Sequence, residues 1–409
     1  MFLQGPNCCF FSDIARELQR LRHHVVKVNF CTSDCFFWKH PGALHYREPL
    51  ENWSHCLENL LIEKKITQIV LYGDRRPYHE IAITVAKKYT IPVAVTDYAY
   101  IRPGFLIFEN NGISGRSLFP KDRKTIEQLS SSASELIPPK RYHDHFFNKI
   151  ISLAFGNLLN ILFAFRYPYY CKPIANNALI LGLGFIFQFL KILILTPKTN
   201  HYVDQLVSEV TQHPYFLYPL QIDMDFQIRT SLHYFDQLIA LREIMSSFAK
   251  HSDPQARLVV KIHPLDPGLR PWKELVTAMA YELQISERVY FLYGGSLETL
   301  LTHCTGVTTI NSTVGLQALC HGKRVKNLDQ AIYDIPGLIY SDTLDSFWKS
   351  EQPVDLAFCQ NIVKVIASTL QIRGAYFNKK GLELAVHDAV IRLDQHKMNQ
   401  PLNPDTSYQ

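Results

Sequence analysis

Along the first hundred residues the apolar positions follow two alternating periods. Phe2 and Leu3 form a short apolar stub. Ser12 is placed to cap a helix that runs through Ile14, Leu18 and Leu21, and the β-branched run 25–30 reads as a strand. A second helix is expected over 53–63 before a strand at 68–72, and a third over 79–88 before a strand at 91–95. Strand, helix and strand in repetition predict parallel pairing with right-handed crossovers. The first strand is cut short at Met1, which fits either a start further upstream or a frayed sheet edge.

The middle of the chain changes character. Residues 150–165 and 178–195 are densely apolar and are separated by Arg166-Tyr167-Pro168-Tyr169-Tyr170-Cys171-Lys172. Gln188 and Lys191 are the strongly polar residues of the second stretch, whose length of about 18 residues is at the lower limit for a bilayer span. Buried inter-domain helices, a pair of membrane-surface helices and a transmembrane span are three readings of this pattern. A second alternating series follows. Strands are expected at 215–220, 256–262, 289–293, 307–310 and 324–326, with helices at 236–250, 272–283, 297–303 and 314–321.

The expected class is therefore α/β, with two Rossmann-like domains facing across a cleft, as in GT-B-like glycosyltransferases. The N-terminal Rossmann-like domain covers 1–145 and supplies the acceptor and carboxylate side. An apolar connector covers 146–200, the C-terminal nucleotide-sugar domain covers 201–395, and 396–409 forms a flexible tail.

Composition narrows the function. With 409 residues, 47% apolar and 19% charged, the chain has the material for two cores and is not a disordered or fibrous sequence. Its 42 basic and 37 acidic side chains leave a dispersed net charge of +5, too small for a dedicated nucleic-acid binder but suited to an anionic small substrate or membrane surface. Nine irregularly spaced cysteines with no secretory signal before them do not read as a disulfide framework, so a reducing cytoplasm is expected. Cys31, Cys35 and His40 lack a second ligand pair at zinc spacing and are read as structural.

Candidate chemistry gathers where strands end, since ligands of such sheets sit beyond the carboxyl ends. Lys261-Ile262-His263-Pro264 closes a strand in the C-terminal half; its lysine and histidine can bind a phosphate, and Pro264 fixes the turn. Asn311-Ser312-Thr313-Val314-Gly315 passes from strand to helix. Ser312 and Thr313 bring two hydroxyls to the free N–H groups of a helix start, and Gly315 allows close approach, which together make an anion site or a plain N-cap. Gln221, Asp223, Asp225 and Arg229 follow the first strand of this half and could orient donor or acceptor hydroxyls. Asp-x-Asp also fits a divalent-metal reading. Lys261 and His263 offer cationic groups that replace a metal at a single phosphate, so no metal and no cofactor is expected.

In the N-terminal half three loops should converge on one rim, carrying Gln4, then Asp74, Arg75, Arg76 and His79, then Asp97 and Arg102. Glycosyl transfer through an oxocarbenium-like transition state needs a carboxylate at the reacting carbon. Asp97, at a strand end beside Arg102, is the candidate, and Asp74 is its competitor. For each, an ion pair that only fixes the loop is the alternative.

Taken in order, these blocks resemble the capsular polysaccharide biosynthesis and export proteins of Gram-negative bacteria of the KpsS/LipB type, which act as β-Kdo transferases. The resemblance runs through Leu3-Gln4-Gly5-Pro6, Tyr72-Gly73-Asp74-Arg75-Arg76-Pro77-Tyr78-His79, Tyr100-Ile101-Arg102-Pro103, Arg166-Tyr167-Pro168-Tyr169-Tyr170, Pro219-Leu220-Gln221-Ile222-Asp223, Lys261-Ile262-His263-Pro264-Leu265-Asp266, Thr309-Ile310-Asn311-Ser312-Thr313-Val314-Gly315-Leu316 and Ala331-Ile332-Tyr333-Asp334-Ile335-Pro336-Gly337-Leu338. Their series is specific where no single block is.

The resemblance implies a cytoplasmic enzyme, peripheral at the inner membrane face. Such an enzyme takes Kdo from CMP-Kdo with retention and starts a β-Kdo linker on a lysophosphatidylglycerol-type lipid. Its implied partners are the nucleotide-sugar donor, the phospholipid acceptor and other capsule synthesis or export proteins. The His-Pro and Ser-Thr blocks look like the CMP-binding motifs of bacterial sialyltransferases. The resemblance thus implies Asp97 at the anomeric centre, His263 as a second catalytic group protonating the leaving phosphate, and Lys261, Ser312 and Thr313 on that phosphate. Two departures stand out. Ala99 replaces the glycine that relatives carry before Tyr-x-Arg-Pro, and 178–195 is more apolar than their basic stretch. A non-catalytic scaffold of the export complex, or a transferase for another CMP-activated sugar, are the alternatives.

Overall fold

A computed structural model describes residues 1–133, 142–172, 178–222, 234 and 236–401. Among them run eleven strands: β1 Val28–Asn29, β2 Leu44–His45, β3 Ile69–Tyr72, β4 Val93–Tyr98, β5 Phe105–Asn110, β6 Tyr215–Pro219, β7 Arg257–Lys261, β8 Val289–Leu292, β9 Gly306–Thr309, β10 Arg324–Asn327 and β11 Gln371–Arg373. The chain divides into two compact units. The first comprises 1–120, 124–175 and 361–409, and the second 121–123 and 176–360. The α/β class with two Rossmann-like sheets expected from the sequence is what these units show.

In the first unit the strand order is β11-β5-β4-β3, with β1 and β2 as a separate parallel pair. Phe2 joins the two sets by parallel bridges to Lys27 and Val70, so the N-terminal stub lies inside the sheet and not at a frayed edge. Leu3 N–H donates to the Val70 carbonyl at 2.9 Å, and Val28 N–H to that of Phe2 at 3.0 Å. Only part of this sheet is parallel, contrary to expectation. β3 and β4 are parallel, whereas β4 with β5 and β5 with β11 are antiparallel. The connection between β4 and β5 is six residues, too short for a crossover helix, so the chain can only fold back as a hairpin.

The core of this unit forms where the helix Phe10–Arg20 turns Phe10, Phe11, Ile14, Ala15 and Leu18 inward against Phe2, Val70, Phe108 and Ile372. The helix Lys379–Asp394 adds Ala385 and Ala389 to the same cluster. Residues from 361 onward thus return to the first unit, where the sequence reading had assigned 361–395 to the second domain. A buried ion pair fastens this return, with Arg373 Nη2 2.7 Å and Nε 2.9 Å from the Asp388 carboxylate. The expected flexible tail also begins docked. Asn399 accepts a hydrogen bond from the Asn110 N–H at 2.9 Å, and residues 402–409 lie outside the described residues.

The second unit is a five-stranded parallel sheet in the order β10-β9-β6-β7-β8. Numbered within the unit this is 5-4-1-2-3, the Rossmann order, whose direction of winding reverses between β6 and β9. β6 is buried along its whole length and β7 at all but its first residue, as expected of strands covered by helices on both faces. Phe216, Ile244, Phe248, Leu258, Val260 and Trp348 lie at the centre of the core.

The apolar connector is not a separate body. The helix Phe146–Leu162 belongs to the first unit, and the helix Ala178–Ser208 to the second. In the latter, Gln188 is buried against Gly268 while Ile192 and Leu195 pack on the core. Among the described residues no helix is long and apolar enough to cross a membrane.

Candidate functional site

In the second unit the candidate residues follow the carboxyl ends of three adjacent strands. Gln221 lies just beyond β6, Lys261 ends β7 with His263 two residues later, and Asn311 to Thr313 follow β9. The β6 and β9 loops meet at the reversal of winding. Gln221 Nε2 donates to Asn311 Oδ1 at 3.0 Å, and Asn311 N–H donates back to Gln221 Oε1 at 3.3 Å. Gln237, at the start of the helix Gln237–His251, fixes the Gln221 backbone from both sides at 2.7 and 3.1 Å. Gln221 is therefore a brace that sets the spacing of the rim. Asp223, Asp225 and Arg229 lie outside the described residues.

Lys261 is buried, and burial pulls its ammonium from the ordinary lysine value to about 8. Among the described residues no carboxylate offsets that cost, and a buried ammonium of this kind gains from a bound anion. His263 is half-buried, and its Nδ1 accepts the Leu265 backbone N–H at 3.0 Å. Pro264 is the exposed corner of the turn, closed by Asp266 N–H on the His263 carbonyl at 3.0 Å. Ser312 caps the helix Thr313–Cys320 by accepting the Val314 N–H at 3.2 Å, which leaves its own hydroxyl hydrogen to donate elsewhere.

Gly315 has a different use from the one its position suggested. A Cβ there would stand 2.0 Å from the Tyr333 hydroxyl oxygen and 2.6 Å from Cζ. The glycine admits the buried Tyr333 ring, whose hydroxyl donates to the Ser312 carbonyl and lies 3.1 Å from Asn327 Oδ1. Tyr333, in the Ala331 to Leu338 block, props the helix start from behind. Nothing in the composition of that block signals the pairing.

In the first unit the candidates separate into two groups. Gln4, Asp74 and His79 are buried. Gln4 Nε2 donates to the Tyr170 hydroxyl at 2.8 Å. Asp74 Oδ2 accepts the Ile113 N–H at 3.2 Å and lies 4.0 Å from Arg75 Nε; burial holds its carboxyl above the ordinary aspartate value. His79 donates from Nδ1 to the Gly73 carbonyl at 2.8 Å, and burial, with Arg76 nearby, lowers it to about 3, so it stays neutral. These three residues hold loops in place. Cys31, Cys35 and His40 likewise engage Ser33, Tyr167 and the Ser12 carbonyl in turn.

Asp97, Arg76 and Arg102 form the second group. Asp97 is the penultimate residue of β4, half-buried, and its Oδ1 accepts the Tyr98 N–H at 2.7 Å. The turn at Gly73, with φ +71°, lets Asp97 and Arg76 approach: a Cβ there would lie 3.5 Å from Asp97 Oδ2 and 3.8 Å from Arg76 Nε. Arg76 stacks on Tyr72 at 4.6 Å and Arg102 on Tyr98 at 5.5 Å. Lys149, from the helix Phe146–Leu162, reaches the same Tyr98 ring at 4.1 Å. Burial lowers its pKa, Asp144 opposes that most strongly, Arg102 lowers it further and Asp97 adds a smaller opposition. Asp97, with Asp144 close by, thus stands among three cations on an aromatic floor of Tyr72, Tyr98 and Tyr376. Lys149 escaped the sequence reading because it is an isolated charge in an apolar run.

Three comparisons bear on this arrangement. The chain is 28% identical to the capsule polysaccharide export protein KpsS of Escherichia coli over 381 residues, covering 92% of this chain and 96% of that protein. It is also 28% identical to the capsule polysaccharide modification protein LipB of Neisseria meningitidis serogroup B over 394 residues, 93% of this chain and 91% of that one. Among solved structures, the β-Kdo 2,7 transferase KpsC of Thermosulfurimonas dismutans is 15% identical with a TM-score of 0.41, covering 92% of this chain and all of that one, a likeness too distant to carry chemistry across. The family model described as capsule polysaccharide biosynthesis protein matches residues 67–377, well over half the chain and both candidate regions, and the chain belongs to that family.

Proposed function

We propose that the protein is a glycosyltransferase that moves Kdo from CMP-Kdo, with retention, to a lysophosphatidylglycerol-type lipid at the inner membrane face, starting the linker on which a capsule chain is built. The observation that supports this reading best is the buried Lys261 ammonium on the same strand-end rim as the His263 imidazole and the Ser312 hydroxyl. Three donors of this kind match the single phosphate of CMP-Kdo, a diester in the donor and a monoester in the CMP that leaves, with no need of a divalent cation in this reading.

Asp97 supplies the carboxylate at the anomeric carbon. Its attack breaks the bond from that carbon to the CMP phosphate oxygen, CMP leaves with the electron pair, and a glycosyl ester forms on Asp97. The acceptor hydroxyl then displaces Asp97 and gives up its proton to a basic oxygen in the site, restoring the original configuration. Arg76, Arg102 and Lys149 suit the Kdo carboxylate or the phosphate of the acceptor.

The test is incubation of the purified protein with CMP-Kdo and lysophosphatidylglycerol, with the lipid product weighed by mass spectrometry. Asp97→Asn should lower the rate by on the order of a thousandfold or more while CMP affinity stays unchanged. Wild-type rates in Asp97→Asn would remove that residue from the chemistry, and a wild-type protein that binds CMP without transferring any sugar would point to a scaffold.

A further inference from the structure

The helix Phe146–Leu162 is turned inside out. Lys149, Ser152, Gly156 and Asn160 recur at helical spacing and face the protein. Lys149 lies over Tyr98, Ser152 donates to the Asn7 carbonyl, and Gly156 admits Asn7, whose Nδ2 would lie 2.6 Å from a Cβ at that position. Asn160 accepts the Ser33 N–H at 2.8 Å and donates to the Ser33 hydroxyl at 3.1 Å. The opposite stripe is apolar and exposed: Phe147 at 75%, Ile151 at 64%, Leu158 at 49% and Leu162 at 59%, followed by Phe165 at 76%. A surface helix in water shows the reverse distribution.

We propose that this stripe lies in the surface of an anionic phospholipid bilayer and seats the first unit there. Charge complementarity selects the occupant. Within the first unit, residues 145–175 contain no aspartate or glutamate, and their lysines and arginines are Lys149, Arg166 and Lys172. Lys39 flanks the stripe, its Nζ 4.4 Å from the ring of Phe36, which packs on Phe155 at 4.9 Å. Arg47 stacks on Tyr167 beside Arg166 at 5.7 Å. An apolar face rimmed by cations and aromatics is the composition of an interfacial helix, and at about 1.5 Å per residue this one lies flat over roughly 25 Å. Resting on the reading of a lipid acceptor, the seating has a consequence. Lys149 projects from the opposite side of the same helix into the Asp97 group, so docking fixes that group about one helix diameter, roughly 10 Å, from the bilayer surface.

Flotation of the full chain with vesicles tests this without donor, acceptor or turnover. The protein should float with phosphatidylglycerol/phosphatidylcholine vesicles and remain behind with phosphatidylcholine alone. The double variant Ile151→Glu, Leu158→Glu should bind the anionic vesicles about tenfold or more weakly, with its melting temperature and CMP affinity unchanged. Failure of the wild type to float, equal flotation of the variant, or a wild-type dimer that the variant dissolves without any vesicle binding would each overturn the proposal. Intact flotation with no Kdo transfer would count against the transferase reading alone.

Discussion

His263 Nδ1 takes the backbone N–H of Leu265 at 3.0 Å, and that bond decides what the imidazole can offer. The lone pair on Nδ1 is engaged, so a neutral ring carries its proton on Nε2. Protonating Nδ1 would set two donors against each other and cost the turn a hydrogen bond. In the proposed site, a ring held this way suits a hydrogen-bond donor to the phosphate better than an acid that protonates it. A glutamine amide can place an N–H near the same point, whereas alanine cannot. His263→Ala should weaken CMP binding by about 1.5–3 kcal/mol, and His263→Gln should recover most of it. Equal loss of turnover in both, with a rate limb set by an imidazole, would return His263 to the role of acid.

Lys261 gives the nucleotide site a pH limit. With its ammonium at about 8 in the free protein, a bound phosphate favours the charged form and raises that value. Binding above pH 8 must then take up a proton, so the Kd for CMP should rise by ~10-fold per pH unit beyond that point and be flat below it. Lys261→Met should bind weakly and lose this slope. Calorimetry from pH 6.5 to 9.5 measures both, and a wild-type affinity constant across the range would contradict the assignment.

The second sheet was legible because each buried parallel strand is an apolar run bounded by turn residues, and the helix Trp53–Glu63 because its period and its ends coincide. β5 was missed although Phe105 to Phe108 is apolar, since Pro103 and Gly104 before it read as the end of a functional loop. β11 has three residues and owes its existence to pairing with β5. Such a pairing is carried by contacts distant in sequence, which local periodicity does not encode. At the site, sequence put Asp97 forward with Asp74 as its competitor, and gave Arg76 and His79 the same positioning part. Burial separates them: Asp74 and His79 are spent on the Ile113 N–H and the Gly73 carbonyl, and Asp97 and Arg76 stand either side of the Gly73 turn.

Gly315 and Tyr333 form a packing pair on which the helix start depends. Gly315→Ala drives a methyl into the Tyr333 ring and should destabilise the fold by about 1–3 kcal/mol. Because Tyr333 also holds the Ser312 carbonyl, CMP affinity should fall with stability. Tyr333→Phe keeps the ring and removes that bond, so it should weaken CMP binding with a smaller loss of melting temperature. Thermal melts and CMP titrations of the two variants separate these effects; an unaltered Gly315→Ala would show that the ring moves aside without cost.

Glu109 makes stability depend on pH in the direction opposite to that of an ordinary paired carboxylate. It is buried in β5, receives the Tyr100 hydroxyl at 3.1 Å and the Ser117 hydroxyl, and lies near the buried Asp74. Burial raises it to about 8, the hydroxyl hydrogen bonds only partly opposing the shift. In the unfolded chain it titrates near the ordinary glutamate value of about 4.3. Between these values the folded state holds a proton that the unfolded state has released, so stability is greatest at the acid end and falls as pH rises toward 8, by up to ~1.4 kcal/mol per pH unit. Asp74, also raised by burial, adds to the slope at its lower end. The Met1 amino group, lowered by burial to about 5, and His79, lowered to about 3, act in the opposite direction, so the readout is a difference: relative to Glu109→Gln, neutral throughout, the wild type should lose stability steadily from pH 5 to pH 8. A wild-type stability that, measured against Glu109→Gln, holds level or climbs over this window would mean that Glu109 is ionised in the fold.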